Sequence, residues 1–164
     1  MVTDATGIAR VYLAGWQESH AGVVPPEYLT CMRAKGQEGF WRAELEIEAS
    51  DRTPWVALLE DEIVGFCSGG LASDGGSGRG TAEVYQVSVD PAHWGRGIGE
   101  ALLRHVLKDL RERRFDRVVT WVVAANAPGR EFLERQGWQL DPATRSEDCG
   151  GVLVEQVRYS RGLR

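Results

Sequence analysis

The chain has 164 residues, enough to bury roughly two-thirds of its unfolded surface around one core as a single domain without metals or disulfides. Its 19 basic and 24 acidic residues leave a net charge of −5, which argues against nucleic acid or an anionic membrane as the main partner. Three widely spaced cysteines, Cys31, Cys67 and Cys149, form no CxxC pair, so neither a disulfide framework nor a zinc site is indicated and a reduced, cytoplasmic setting fits.

The start lacks the basic-then-apolar order of a signal peptide, and no stretch approaches the ~20 apolar residues that span a bilayer. Residues 8–17 and 26–33 read as two short helices, the second with Pro25-Pro26 at its start, where a missing N–H does no harm. Residues 40–47 suit a third. Two apolar runs, 55–59 and 63–72, are separated by acidic residues that fit a hairpin turn. The segment "SDGGSGRG", 73–80, holds no regular element and reads as a loop.

Thr81 to Val89 alternates as a strand, with Glu83, Tyr85, Val87 and Val89 expected on one face. Ile98, Leu102, Val106 and Leu110 then recur every four residues, an amphipathic helix ending near Arg113-Arg114. Seven Lys and Arg residues between Arg96 and Arg117, with His105, suit either a solvated helix face or attraction of a phosphorylated ligand. Residues 117–125 read as a buried strand and 127–136 as a helix stopped by Gly137; 138–140 and 152–159 give two more strands around a polar loop. The order implies an α/β (α+β) domain with a mixed, mainly antiparallel sheet.

Between strand and helix stand Gly95, Gly97 and Gly99, so unpaired N–H groups and the positive end of a helix dipole converge on one point. A diphosphate, which can engage several such donors, suits that point better than a lone carboxylate. The spelling is neither a dinucleotide fingerprint, because Glu100 stands where glycine is needed, nor a Walker A loop, because no Lys-Ser/Thr comes after it.

The stretch "VDPAHWGRGIGEALL" resembles the pyrophosphate-binding segment of the GNAT superfamily of acyl-CoA-dependent N-acyltransferases, Gln/Arg-x-x-Gly-x-Gly/Ala, with Gly97 and Gly99 matching and Trp94 in the Gln/Arg place. Downstream, "NAPGREFLERQGW" is similar to that family's second signature, with Asn126, Arg130, Phe132, Glu134, Gly137 and Trp138 in register. "AGWQESHAGVVPPEYL" resembles the paired substrate-side helices of many members, whereas "MVTDATG" is too short and polar for the strand with which members usually open.

The resemblance implies acetyl-CoA as acyl donor, with Val87, Ser88 and Val89 holding the pantetheine arm as an added strand would. It implies that Trp94, Gly95, Arg96, Gly97, Ile98, Gly99 and Glu100 hold the diphosphate, with Asn126 and Arg130 as further contacts; Asn126 also suits a helix N-cap. Possible homodimers are common among such relatives. The acceptor is then an amine of a small molecule or a peptide, attacking directly in a ternary complex. Such an amine, with pKa ~10.4, is neutral in only about one molecule in two thousand at pH 7, so a base or a water relay must take its proton.

Glu83 is the candidate base, and the Val87 N–H the candidate oxyanion donor. Many members use a Tyr in the second segment as general acid; Leu133 stands there, leaving Tyr85 or Tyr28 as substitutes or the thiolate to leave unaided. Trp16, His20, Tyr28 and Tyr85 are the expected acceptor contacts, with Trp41 and Trp55 further aromatic residues of that half; His20 could also relay a proton, and capping a turn is its favoured role. No His/Asp/Glu cluster has metal spacing. The competing reading is a non-catalytic acyl-CoA-binding module of the same fold.

Overall fold

Glu60 and Asp61 both adopt positive φ, 49° and 65°, the combination whose twist lets a two-residue turn join antiparallel strands. They connect β1 (Pro54–Leu59) to β2 (Glu62–Leu71) in the computed structural model, which describes residues 4–31, 34–47, 52, 54–73 and 80–164. The remaining elements are α1 (Ala5–His20), α2 (Pro26–Cys31), α3 (Ala34–Glu46), β3 (Thr81–Val89), α4 (Ile98–Glu112), β4 (Arg117–Val123), α5 (Ala127–Arg135), β5 (Gln139–Cys149) and β6 (Val152–Gly162).

The six strands form one sheet in the order β1-β2-β3-β4-β6-β5, antiparallel except for the central β3–β4 pair. The mixed, mainly antiparallel sheet expected from the sequence is therefore present. α4 carries the parallel crossover, and its buried Leu102, Leu103, Val106, Leu107 and Leu110 pack with Val84, Val118, Leu133 and Tyr159 on one face. Burying each such side chain stabilises the fold by about 1.5–3 kcal/mol. On the opposite face Ile8, Ala9 and Val11 of α1 and Trp41 of α3 pack on Ile63 and Phe66 of β2.

Three expectations are corrected. The third helix starts at Ala34, not at residue 40, because Trp41 and Leu45 anchor a longer segment to α1 and β2. The polar loop expected after residue 140 is mostly strand, since β5 lies at the sheet edge, pairs only with β6 and leaves its polar side chains exposed. Gly150 and Gly151, with φ of 68° and 86°, make the turn instead.

The third correction concerns β3. In the β2–β3 ladder Ser68 pairs with Gln86 but Gly69 with Val84, so Tyr85 is an extra, bulged residue. The bulge reverses the side-chain parity. Ala82 and Val84 before it, and Val87 and Val89 after it, all pack toward α4, while Ser88 meets α1 at Gly15. Glu83 is thus on the face opposite Val87 and Val89. Residues 1–3 of the polar opening segment, and residues 74–79 of the loop expected over 73–80, lie outside the described residues.

Candidate functional site

β3 and β4 pair only from Thr81–Arg117 to Val84–Thr120. The bulge turns β3 away there, whereas β4 continues along β6 to Val123, so the two strands part and leave a wedge. Asp90 N–H bonds to the Val64 carbonyl on the β2 side at 2.9 Å; strand alternation then directs the main-chain groups of Val87 and Val89 to the wedge and those of Ser88 to β2. Ser88, grouped with its neighbours from the sequence, presents its main chain to the other edge, and its hydroxyl accepts from Gln86 Nε2 at 2.8 Å.

Asp90 sets the course of the chain beyond β3. Its carboxylate accepts from Ala92 N at 3.0 Å and from Arg10 of α1 at 2.8 Å, and a short 3₁₀ turn, Pro91–His93, leads to the glycines. Gly95 and Gly97 have φ of 74° and 76°, which residues with a Cβ reach only at a cost. Gly97 caps α4 without any side-chain hydrogen bond, so the first-turn N–H groups face outward at the mouth of the wedge, with Glu100 exposed beside them. A Cβ at Gly99 would lie 3.5 Å from the Phe132 ring of α5, so the start of α4 and α5 pack closely there. Trp94, half exposed, donates its indole N–H to the Val89 carbonyl at 2.7 Å and braces the turn.

α5 closes the same mouth. Asn126 is its N-cap, accepting from Gly129 N at 3.1 Å, as the sequence allowed. Arg130 is engaged within the protein, donating to the Ala124 carbonyl at 3.1 Å and to the Tyr159 hydroxyl at 3.1 Å, which itself donates to Glu134 at 2.6 Å. Leu133 is buried in the core beneath α4, so its position offers no acid.

Residues 16–138 match the family model of the acetyltransferase (GNAT) family. The chain belongs to that family. Among its relatives, a mycothiol acetyltransferase of Acidothermus cellulolyticus is 33% identical over 120 residues, 63% of this chain and 36% of that protein. An N-acetylaspartate synthetase of Danio rerio is 27% identical over 65% of this chain and 39% of its own length. The chain thus spans little more than a third of these relatives. The PaiA N-acetyltransferase of Thermoplasma acidophilum, solved in complex with coenzyme A, superposes with a TM-score of 0.75 at 19% identity over 94% of this chain and 92% of that one, which shows the shared fold.

Within this GNAT fold the sequence-expected acceptor residues fall into two groups. Trp16 and His20 stack at 4.2 Å, and Tyr28 lies 5.9 Å from Trp16, beside Val123 at the end of β4 and Cys149 of β5. His20 is buried; its Nδ1 pairs with the Trp16 carbonyl at 3.0 Å and Ser19 Oγ at 2.9 Å, the turn-capping role the sequence suggested. Burial pushes its pKa down, against the Trp16 carbonyl and the nearby Glu147, which pull it up.

Tyr85 belongs to the second group. It lines an open cavity of about 290 Å3 between α1, α3 and the bulge, together with Tyr12, Phe40, Trp41, Glu44 and Gln86. The Tyr85 hydroxyl donates to the Leu71 carbonyl, and Arg52 stacks on its ring at 4.8 Å. Tyr12 stands edge-on to Trp41 with ring centroids 6.3 Å apart, and burial, then Glu147, Cys149 and Tyr28, push its hydroxyl pKa up. Trp55 is excluded from the site, since it packs edge-on against His105 of α4 on the other face.

Glu83 is buried one residue before the strands part, and its Oε2 accepts from Ser73 N at 3.1 Å and Ser73 Oγ at 2.9 Å. Tyr12, Phe40 and Gln86 escape sequence reading; the aromatic residues of α1 and α3 hint at the first two, and nothing local marks Gln86 on β3. Among the described residues no cluster of His, Cys, Asp and Glu is placed to hold a metal, and no helix is long and apolar enough to cross a membrane.

Proposed function

We propose that this chain, acting as one domain, transfers an acetyl group from acetyl-CoA to a primary amine of a small molecule or peptide by direct attack in a ternary complex. The observation that carries the reading is the parting of β3 from β4 at the uncapped start of α4. The open edge of Val87 and Val89 suits an extended pantetheine arm, although the Val89 carbonyl already accepts from Trp94. The donors from Gly95 to Glu100 suit a diphosphate, and Asn126 stands at the mouth opposite them.

In the transfer the amine nitrogen bonds to the thioester carbon, the carbon–sulfur bond breaks, and sulfur leaves as thiolate while the nitrogen gives up a proton. Val87 N–H, aimed into the wedge, serves the oxyanion. Glu83 takes the proton, through water if the amine enters from the cavity beside Tyr85. A thiol of pKa ~8.5 leaves without a dedicated acid, which accords with buried Leu133.

Leu133 also favours the second reading, acyl-CoA binding without turnover. Thiol release from acetyl-CoA across a panel of amines separates them. Release with at least one amine, lowered about 10²–10⁴-fold by Glu83→Gln, supports catalysis. The glutamine oxygen can still accept from Ser73, so the local fold is kept. Coenzyme A binding with no release by any amine supports the second reading.

A further inference from the structure

β4, β6 and β5 carry an ordered chain of polar groups on the face that holds Val123 and Cys149. Gln156 is buried in register between Val123 of β4 and Arg145 of β5. Its Oε1 accepts from Arg145 Nε at 2.6 Å, and its Nε2 donates to Glu147 Oε2 at 3.0 Å. Because an arginine only donates, the amide has one orientation, and one side chain fixes a cation and an anion two residues apart on β5. The Arg145 guanidinium lies 4.4 Å from the Trp121 ring centroid. Its two terminal nitrogens, and the second Glu147 oxygen, have no partner among the described residues.

The neighbouring charges are already engaged: Arg158 and Arg117 both bind Asp141, at 3.0 and 2.6 Å. Position ties the remaining pair to the chemistry. Trp121 comes directly after Thr120, the last β4 residue paired with β3, so it is the first β4 residue beyond the point where the strands part. Two residues beyond Glu147, Cys149 packs with Val123 of β4 and with Trp16 and Tyr28, two of the acceptor residues expected from the sequence.

We propose that the acetyl acceptor is an amine that also carries a carboxylate, the carboxylate gripped by the Arg145 fork against Trp121 and the ammonium drawn toward Glu147. This rests on the acetyltransferase reading of the wedge. A planar fork with two parallel donors matches a carboxylate, and its orientation is prepaid by Gln156 and Trp121. An amine lacking the carboxylate meets an uncompensated cation instead, which selects against it.

The test is thiol release from acetyl-CoA with the common amino acids, each beside its α-amide and its decarboxylated amine, whose basicities bracket that of the acid. At least one amino acid is expected to exceed both counterparts in kcat/KM by about 10- to 100-fold, the range for a charge-assisted hydrogen bond. Arg145→Met, at an exposed position, should erase that preference by raising KM with coenzyme A affinity unchanged, and Arg145→Lys should restore part of it. If carboxylate-free amines react as well in the wild type, or if Arg145→Met keeps the preference, the acceptor assignment falls while acetyl transfer stands. No release with any member overturns the transferase reading and the acceptor assignment together.

Discussion

The Thr120 hydroxyl donates to the Val84 carbonyl at 2.9 Å at the last rung of the β3–β4 ladder. This buried bond holds the two strands together where the next residue, Tyr85, bulges and the wedge begins. Thr120→Val keeps shape and strand preference but removes the bond, leaving the carbonyl one donor short. The expected cost is about 1–3 kcal/mol, read as a lower urea midpoint with an unchanged slope. Coenzyme A affinity should fall with it, because the wedge loses the anchor at its closed end; unchanged affinity would separate the bond from the site.

Gly97 tests the turn. No atom lies within 4 Å of where its Cβ would go, so Gly97→Ala costs only the left-handed backbone at φ 76°, about 1–2 kcal/mol. Gly137, with φ 78° and equally open surroundings, is the matched control beyond α5. Both alanine variants should lose similar stability in denaturant. Only Gly97→Ala should also weaken coenzyme A, by about tenfold or more, since it alone shifts the amides that meet the diphosphate. Equal affinities in the two variants would remove the turn from the binding site.

What the sequence made legible was local. The glycine turn, the Asn126 cap and the amphipathic row of α4 each depend on residues within a few positions, where backbone sterics and hydrogen bonding decide the outcome. The face of Glu83 was misjudged because an unbroken alternation says nothing of a bulge set by the partner strand at Ser68 and Gly69. The length of β5 was missed because a polar edge strand with Pro142 in its irregular stretch looks like a loop until β6 is placed beside it. The Arg145–Gln156–Glu147 chain joins residues eleven and nine apart through register alone. The cavity beside Tyr85 likewise needs α1, α3 and the bulge together.

His20 predicts a pH dependence. Burial holds its folded pKa below the ordinary ~6.5, so between those two values the unfolded chain binds the proton more readily. Its stabilisation is complete above the unfolded value and is lost as pH falls through the folded one. Melting temperature should drop between about pH 7.5 and about pH 5.5, and more steeply than in His20→Phe, which keeps the stack on Trp16 but cannot ionise. Parallel slopes for the two proteins would show that His20 does not titrate in this window.

The most direct measurement is a titration with coenzyme A monitored by amide resonances. The account predicts saturable shifts at Val87, Val89 and Gly95 through Glu100, with β1 residues Val56 and Ala57, at the far edge of the sheet, undisturbed. Saturation that leaves Gly95 through Glu100 unmoved would contradict it.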